Sequence, residues 1–222
     1  MIKKIFKLLF GIALLPVVVF SVCNFFKEIA AIPLLSAAQA MFLYGIGAYL
    51  AVHIFLWKPD ILYVFGHETT HALTAKLFGG RIFDFKVSSK GGSVKTDKQN
   101  TAIALMPYMI PFYTILVCLI YVTAGIFKDV KPFTGHFVFA LGFSMAFHLV
   151  QTAEFLKQKQ TDIIKSGYIF SMPLIILANL VIISGILSFL FSEFSFKDMS
   201  LEIFQQTSDL YVKFGSRCSD SC

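Results

Sequence analysis

The sequence is poor in charge. Asp, Glu, Lys and Arg make up 14% of its 222 residues, against roughly a quarter in an ordinary soluble domain. It has no C-x-x-C pair among its four cysteines. Cys23 and Cys118 lie in or beside apolar stretches and read as small hydrophobes. Cys218 and Cys222 sit in a polar tail, where they can pair or stay free, and they report no redox compartment. There is no run of basic residues interleaved with aromatics, which argues against a nucleic-acid groove despite the net charge of +6. No internal repeat is visible, which argues against a repeat-built transporter. No small-x-small cleavage site follows the first apolar run, and Ser21-Val22-Cys23 is a poor lipidation box, so that run is expected to be an uncleaved span.

What the chain does have is apolar surface. Hydrophobic residues make up 57%, 26 of the residues are Phe, and the mean hydropathy is +0.75. A soluble chain of this length cannot hide that much, so lipid is the expected solvent. A spanning helix needs about 20 apolar residues. Six segments meet or approach this, over residues 5–22, 34–57, 61–78, 101–127, 133–156 and 168–191. They predict an all-α polytopic membrane protein with about six transmembrane helices in one domain, residues 1–192, followed by a polar C-terminal tail, 193–222. Pro107 and Pro111 should kink the fourth segment. Lys3, Lys4 and Lys7 favour a cytoplasmic N-terminus. With six full spans the Lys and Arg flanking the segments, these three included, divide evenly between the two sides and add no preference.

Residues 79–100 differ from the rest. Phe83, Phe85 and Val87 alternate with Asp84, Lys86 and Ser88, a period of two that belongs to a strand. Gly91-Gly92 is expected to supply a turn, with Ser93 to Thr96 returning. A small β-hairpin over about 81–97 should therefore follow the third segment.

That third segment holds the chemistry, in Gly66-His67-Glu68-Thr69-Thr70-His71. Residues four apart share a helix face, so His67 and His71 can bind one metal ion together. Glu68 can reach a water on that ion and act as general base, then protonate a leaving amine. Ionisable groups inside an apolar segment are expensive and face the bundle interior.

Two histidines are one ligand short of the three that a catalytic zinc usually takes from protein. Asp162, just before the sixth segment, is the first candidate. His148 is the alternative, as third ligand or as hydrogen-bond donor to a developing oxyanion. His148 belongs to a polar stripe on the fifth segment with Ser144, Gln151 and Thr152, which can equally serve helix–helix hydrogen bonding. His67 lies about 10 Å into its segment by helical rise, while the loop holding Asp162 falls on the other side if every segment spans. Either the third segment is only partly inserted, or the sixth helix starts early enough to bring Asp162 inside.

At these residues the chain resembles the site-2-protease family of intramembrane zinc metallopeptidases, particularly its small bacterial members. The resemblance covers roughly 60–191: the Gly66–His71 motif in an apolar segment, the Gly79-Gly80 exit, the hairpin with Gly91-Gly92, and a later acidic residue before an apolar helix. It implies zinc held by His67 and His71, Glu68 as catalytic base, and hydrolysis of membrane-protein or peptide substrates within the bilayer of a bacterial inner membrane. The family commonly carries its third ligand in a Leu-Asp-Gly; here Asp162 is followed by Ile163. No PDZ-like insertion is present. Two other readings use the same residues: a zinc-binding membrane scaffold without hydrolysis, and a transporter with a His/Glu ion relay.

Overall fold

The computed structural model describes residues 2–32 and 36–219. A Cys218–Cys222 bridge lies outside the described residues. The chain divides into two compact units. The first contains helices α1 (Ile2–Ala31), α8 (Tyr168–Leu190) and α9 (Phe196–Ser219). The second contains α2 (Ala37–Ala51), α3 (Asp60–Leu77), the hairpin β1 (Ile82–Ser88) and β2 (Gly91–Thr96), α4 (Thr101–Met109), α5 (Phe112–Phe127), α6 (Thr134–Leu156) and the short α7 (Thr161–Ser166).

In the first unit, α1 and α8 run in the same direction: Phe10 meets Phe170 near both helix starts, and Phe25 meets Phe194 just past the end of α8. The C-terminal stretch expected as a polar tail forms α9, which returns along α1 through Asn24–Gln206 (2.9 Å) and Lys27–Glu202 (2.7 Å).

The second unit is built on α2 and α6. Ser36 caps α2 in a reciprocal pair with Gln39, which satisfies backbone donors at the helix start. A Cβ on Gly45 would lie 2.0 Å from the Phe139 carbonyl oxygen, and one on Gly142 2.1 Å from that of Phe42. The two backbones therefore touch, as small residues allow where lipid supplies no hydrophobic drive between helices. Around that contact Tyr49, Tyr63, Ala146 and Phe147 form a buried cluster. Its rings meet edge to face, at 5.5 Å for Tyr49–Phe147 and 6.3 Å for Tyr63–Phe147. Such pairs add about 0.5–1.5 kcal/mol each beyond the area they bury.

Among the described residues, four helices are long and apolar enough to cross a membrane: Ile2–Ala31, Ala37–Leu56, Lys131–Leu156 and Tyr168–Leu190. The count becomes five if α4 and α5 are one broken span; they bend by 68° at Ile110-Pro111. The break falls at one of the two expected prolines, Pro111, which has no N–H to continue the ladder and whose ring clashes one turn back, while Pro107 lies inside α4.

The sixth expected span is not among these, and α3 is the segment that falls short by composition. It has 18 residues and carries Asp60, Glu68 and Lys76. Its N-terminal end is tied to the C-terminal end of α6, through Lys58–Glu154 (2.7 Å) and Tyr63–Thr152 (3.1 Å). Moreover, α2 and α6 run in the same direction, since Gly45 meets Phe139 while Tyr49 meets Phe147. Six crossings would set the second and fifth segments antiparallel. Five, with α3 making no net crossing, set them parallel.

The hairpin forms where alternation predicts it, with β1 and β2 antiparallel and Phe85 opposite Val94. Its turn is not at the glycines. The reversal is at Ser89-Lys90, and Gly91 and Gly92 begin the return strand. Ser88 closes the turn: its Oγ donates to the Gly91 carbonyl (2.7 Å) and accepts from Lys90 N–H (3.3 Å).

Candidate metal centre

The second unit brings three ligating side chains together. One ligand atom from each of His67, His71 and Asp162 lies within 4.8 Å of the other two, a set unique among the described residues. The two histidines come from one face of α3. Asp162 comes from α7, a single-turn helix packed on α4. Nε2 of His71 is 3.3 Å from Oδ2 of Asp162. Asp162 thus joins the histidines from α7, a helix separate from α8, which begins at Tyr168.

The hydrogen bonding of His71 fixes which nitrogen faces Asp162. Asn100 caps α4 by accepting from Ile103 N–H at 2.8 Å, which sets the first turn of that helix. The Ile103 carbonyl, held there, accepts from His71 Nδ1 at 2.8 Å. A carbonyl can only accept, so Nδ1 carries the proton and Nε2 presents its lone pair to the Asp162 carboxylate. Two acceptors 3.3 Å apart repel unless a proton or a cation lies between them. The backbone carbonyl behind the imidazole is also the usual support for a metal-ligating histidine. Nδ1 of His67 is buried with no hydrogen-bond partner, an expense that a ligand removes.

Burial alone would push the Asp162 carboxyl up. With a proton lying between them, the hydrogen bond and charge of His71, with His67 and Lys165 adding to them, outweigh this and hold it below the usual carboxylate range. The residues present thus fit a divalent ion of borderline softness: two imidazoles, one carboxylate, and room for a fourth ligand.

Glu68 is buried on α3 and lines the same cleft as His71 and Asp162. The cleft encloses about 440 Å³ and is closed on one side by Gly92, Ser93, Val94 and Thr96 of β2. Gly92 is where the hairpin meets the motif. A Cβ there would lie 2.5 Å from Glu68 Cγ and 2.8 Å from the Lys86 carbonyl oxygen, which cannot move aside without splitting the strands. Gly92→Val is expected to pry β2 from α3. Hydrogen exchange of the 91–96 amides should then accelerate about tenfold or more; an unchanged exchange pattern would show that the strand adapts.

His148 does not join the three-residue group. It is buried on α6 and lines, with His67, Thr70 and Tyr113, a second space of about 10 Å³. The rest of its stripe holds helices together. Ser144 meets Thr114 at 3.1 Å, Gln151 donates to Asp60 at 3.3 Å, and Thr152 meets Tyr63 at 3.1 Å. These last two contacts orient α3, and so the histidines, relative to the end of α6 from which α7 departs.

Tyr108 had no signal in the sequence, being one aromatic in an apolar segment. It is fully buried, its ring stands edge-on to His67 at 4.8 Å, and its hydroxyl reaches Gln160 at 3.5 Å. It forms the wall between the two ligand-bearing elements.

Among known proteins, no family model, no curated sequence and no solved structure matches this chain.

Proposed function

We propose that the chain is a zinc-dependent intramembrane metallopeptidase of the site-2-protease type, placed in a bacterial inner membrane and hydrolysing peptide bonds of membrane-embedded substrates. One observation carries the reading: His67, His71 and Asp162 converge within 4.8 Å beside a buried glutamate, in a cleft bordered by a strand. Zinc held by these three would supply a Lewis acid and lower the pKa of a water it binds to about 7.

The protein's own groups divide the remaining work. The Glu68 carboxylate, adjacent in sequence to the first histidine, accepts a proton from the attacking water and returns it to the departing amide nitrogen. Ile103 keeps His71 in one tautomer through its carbonyl. The hairpin has two strands, so β2 has one edge unpaired by β1, and its residues line the cleft. A helical substrate hides its peptide bonds, and hydrolysis needs them extended. Such a segment can add to β2 as a third strand, with main-chain hydrogen bonds holding the bond to be cut against Glu68.

The test is zinc stoichiometry on detergent-purified protein. Wild type should hold about one zinc per chain, His67→Ala and Asp162→Ala should hold none, and His148→Ala should keep it. A well-folded wild type without zinc sinks the reading. Zinc lost in His148→Ala and retained in Asp162→Ala would transfer the third ligand to His148.

A further inference from the structure

The direction of α2 and α6 decides where the charges of this unit lie. The two helices run parallel, so their C-terminal ends are at the same end of the unit, joined by Lys58–Glu154. The α3 helix, the hairpin and α7 all attach to that end, since α7 follows α6 and Asp162 on it meets His71. The opposite end carries the 128–133 connection. Of the twelve Lys and Arg between residues 36 and 166, Lys128 and Lys131 lie at that opposite end and the other ten at the site end. The even division expected for six spans disappears once α3 makes no net crossing.

The hairpin adds a second, independent feature. Within 81–98 there are five basic residues against two acidic ones. Asp84 pairs with both Lys86 (3.2 Å) and Lys95 (3.7 Å), which leaves an excess of positive charge even there. On the face of β1 opposite Asp84 and Lys86 the strand turns aromatic rings outward. Phe83 is 67% exposed and Phe85 40%, and Phe85 continues onto Phe65 of α3 at 6.2 Å between rings. Leu77 and Phe78, at the end of α3, are 86% and 50% exposed. A hairpin with exposed aromatic rings on one face and lysines on the other fits the plane between acyl chains and anionic headgroups.

We propose that this end of the unit is a docking surface for anionic lipid. Phe83 and Phe85 enter the acyl boundary, and Arg81, Lys86, Lys90 and Lys95 hold lipid phosphates. The surface thereby seats the cleft mouth in the headgroup layer of the positively flanked, cytoplasmic leaflet. The inference does not depend on zinc or on hydrolysis.

Trp57 is the sole tryptophan, which makes a clean reporter possible. In a Trp57→Phe background, Phe83→Trp is reconstituted into vesicles of phosphatidylcholine alone, or with about a third phosphatidylglycerol, each brominated high on the acyl chain. Quenching is expected in both, about twofold deeper with the anionic lipid. The difference should vanish in about 1 M salt and when Lys86, Lys90 and Lys95 are all changed to Gln. A water-like emission without quenching, or equal quenching in the two lipids, overturns the proposal. Ser89→Trp at the hairpin tip gives the same readout should Phe83→Trp misfold.

Discussion

Glu68→Gln is expected to lower peptide hydrolysis by about 10²- to 10⁴-fold, the usual contribution of a positioned general base, while leaving about one zinc per chain. Glutamine keeps the size and one acceptor of the side chain but cannot take up a proton near neutral pH. Glu68 is not one of the three converging ligand residues, so zinc and hydrolysis should separate in this variant. The measurement is cleavage of a reporter whose membrane-embedded segment includes the scissile bond, run beside metal analysis of the same preparation. Zinc retained and hydrolysis lost is the expected pair. Hydrolysis unaffected by the change would remove Glu68 from the chemistry. A cellular phenotype that survives loss of hydrolysis would favour the non-catalytic zinc scaffold instead.

Gly142→Leu should have the largest effect on folding. The new side chain would start 2.1 Å from the Phe42 carbonyl oxygen, with Ile46 N at 3.3 Å, so both obstructing groups are backbone. Overpacking a core that can shift costs about 1–3 kcal/mol. Here the whole of α2 must move away from α6, and the cost is expected at about 3 kcal/mol or above, a large share of the 5–15 kcal/mol typical of a folded protein. Gly47, on the partner helix α2, is the control: a Cβ there meets nothing within 4 Å. Unfolding in a detergent–denaturant titration should shift strongly for Gly142→Leu and hardly at all for Gly47→Leu. Equal shifts would mean that glycine matters here for helix propensity and not for the close approach.

The metal centre shows how far each kind of information reaches. His67, Glu68 and His71 are legible because helical spacing alone puts the two histidines on one face. Asp162 can be proposed from its residue type and position, yet its distance from His71 depends on how α7 folds back on α4. His148 stays open in the sequence as the alternative to Asp162, since a histidine in an apolar helix carries the same signal wherever it points. The structure sets it beside His67 in a separate small space. Tyr108 and Gly92 were illegible as site residues, because their roles consist of contacts with residues 41 and 24 positions earlier in the chain.

By itself, then, the sequence determined what local physics determines. Its apolar runs called for lipid, two prolines called for a broken helix, alternation called for a hairpin, and four-residue spacing paired the histidines. Each follows from interactions within about ten residues. The number of crossings, the identity of the residue facing His71, the position of the hairpin turn and the end of the unit that gathers the lysines were decided only in three dimensions. An amphipathic segment of 18 residues satisfies the pattern of a span and that of an inserted helix equally well. The choice fell to long-range contacts: Gly45 and Gly142 align α2 with α6, Tyr63 and Asp60 tie α3 to the end of α6, and the Ile103 carbonyl turns one imidazole toward one carboxylate.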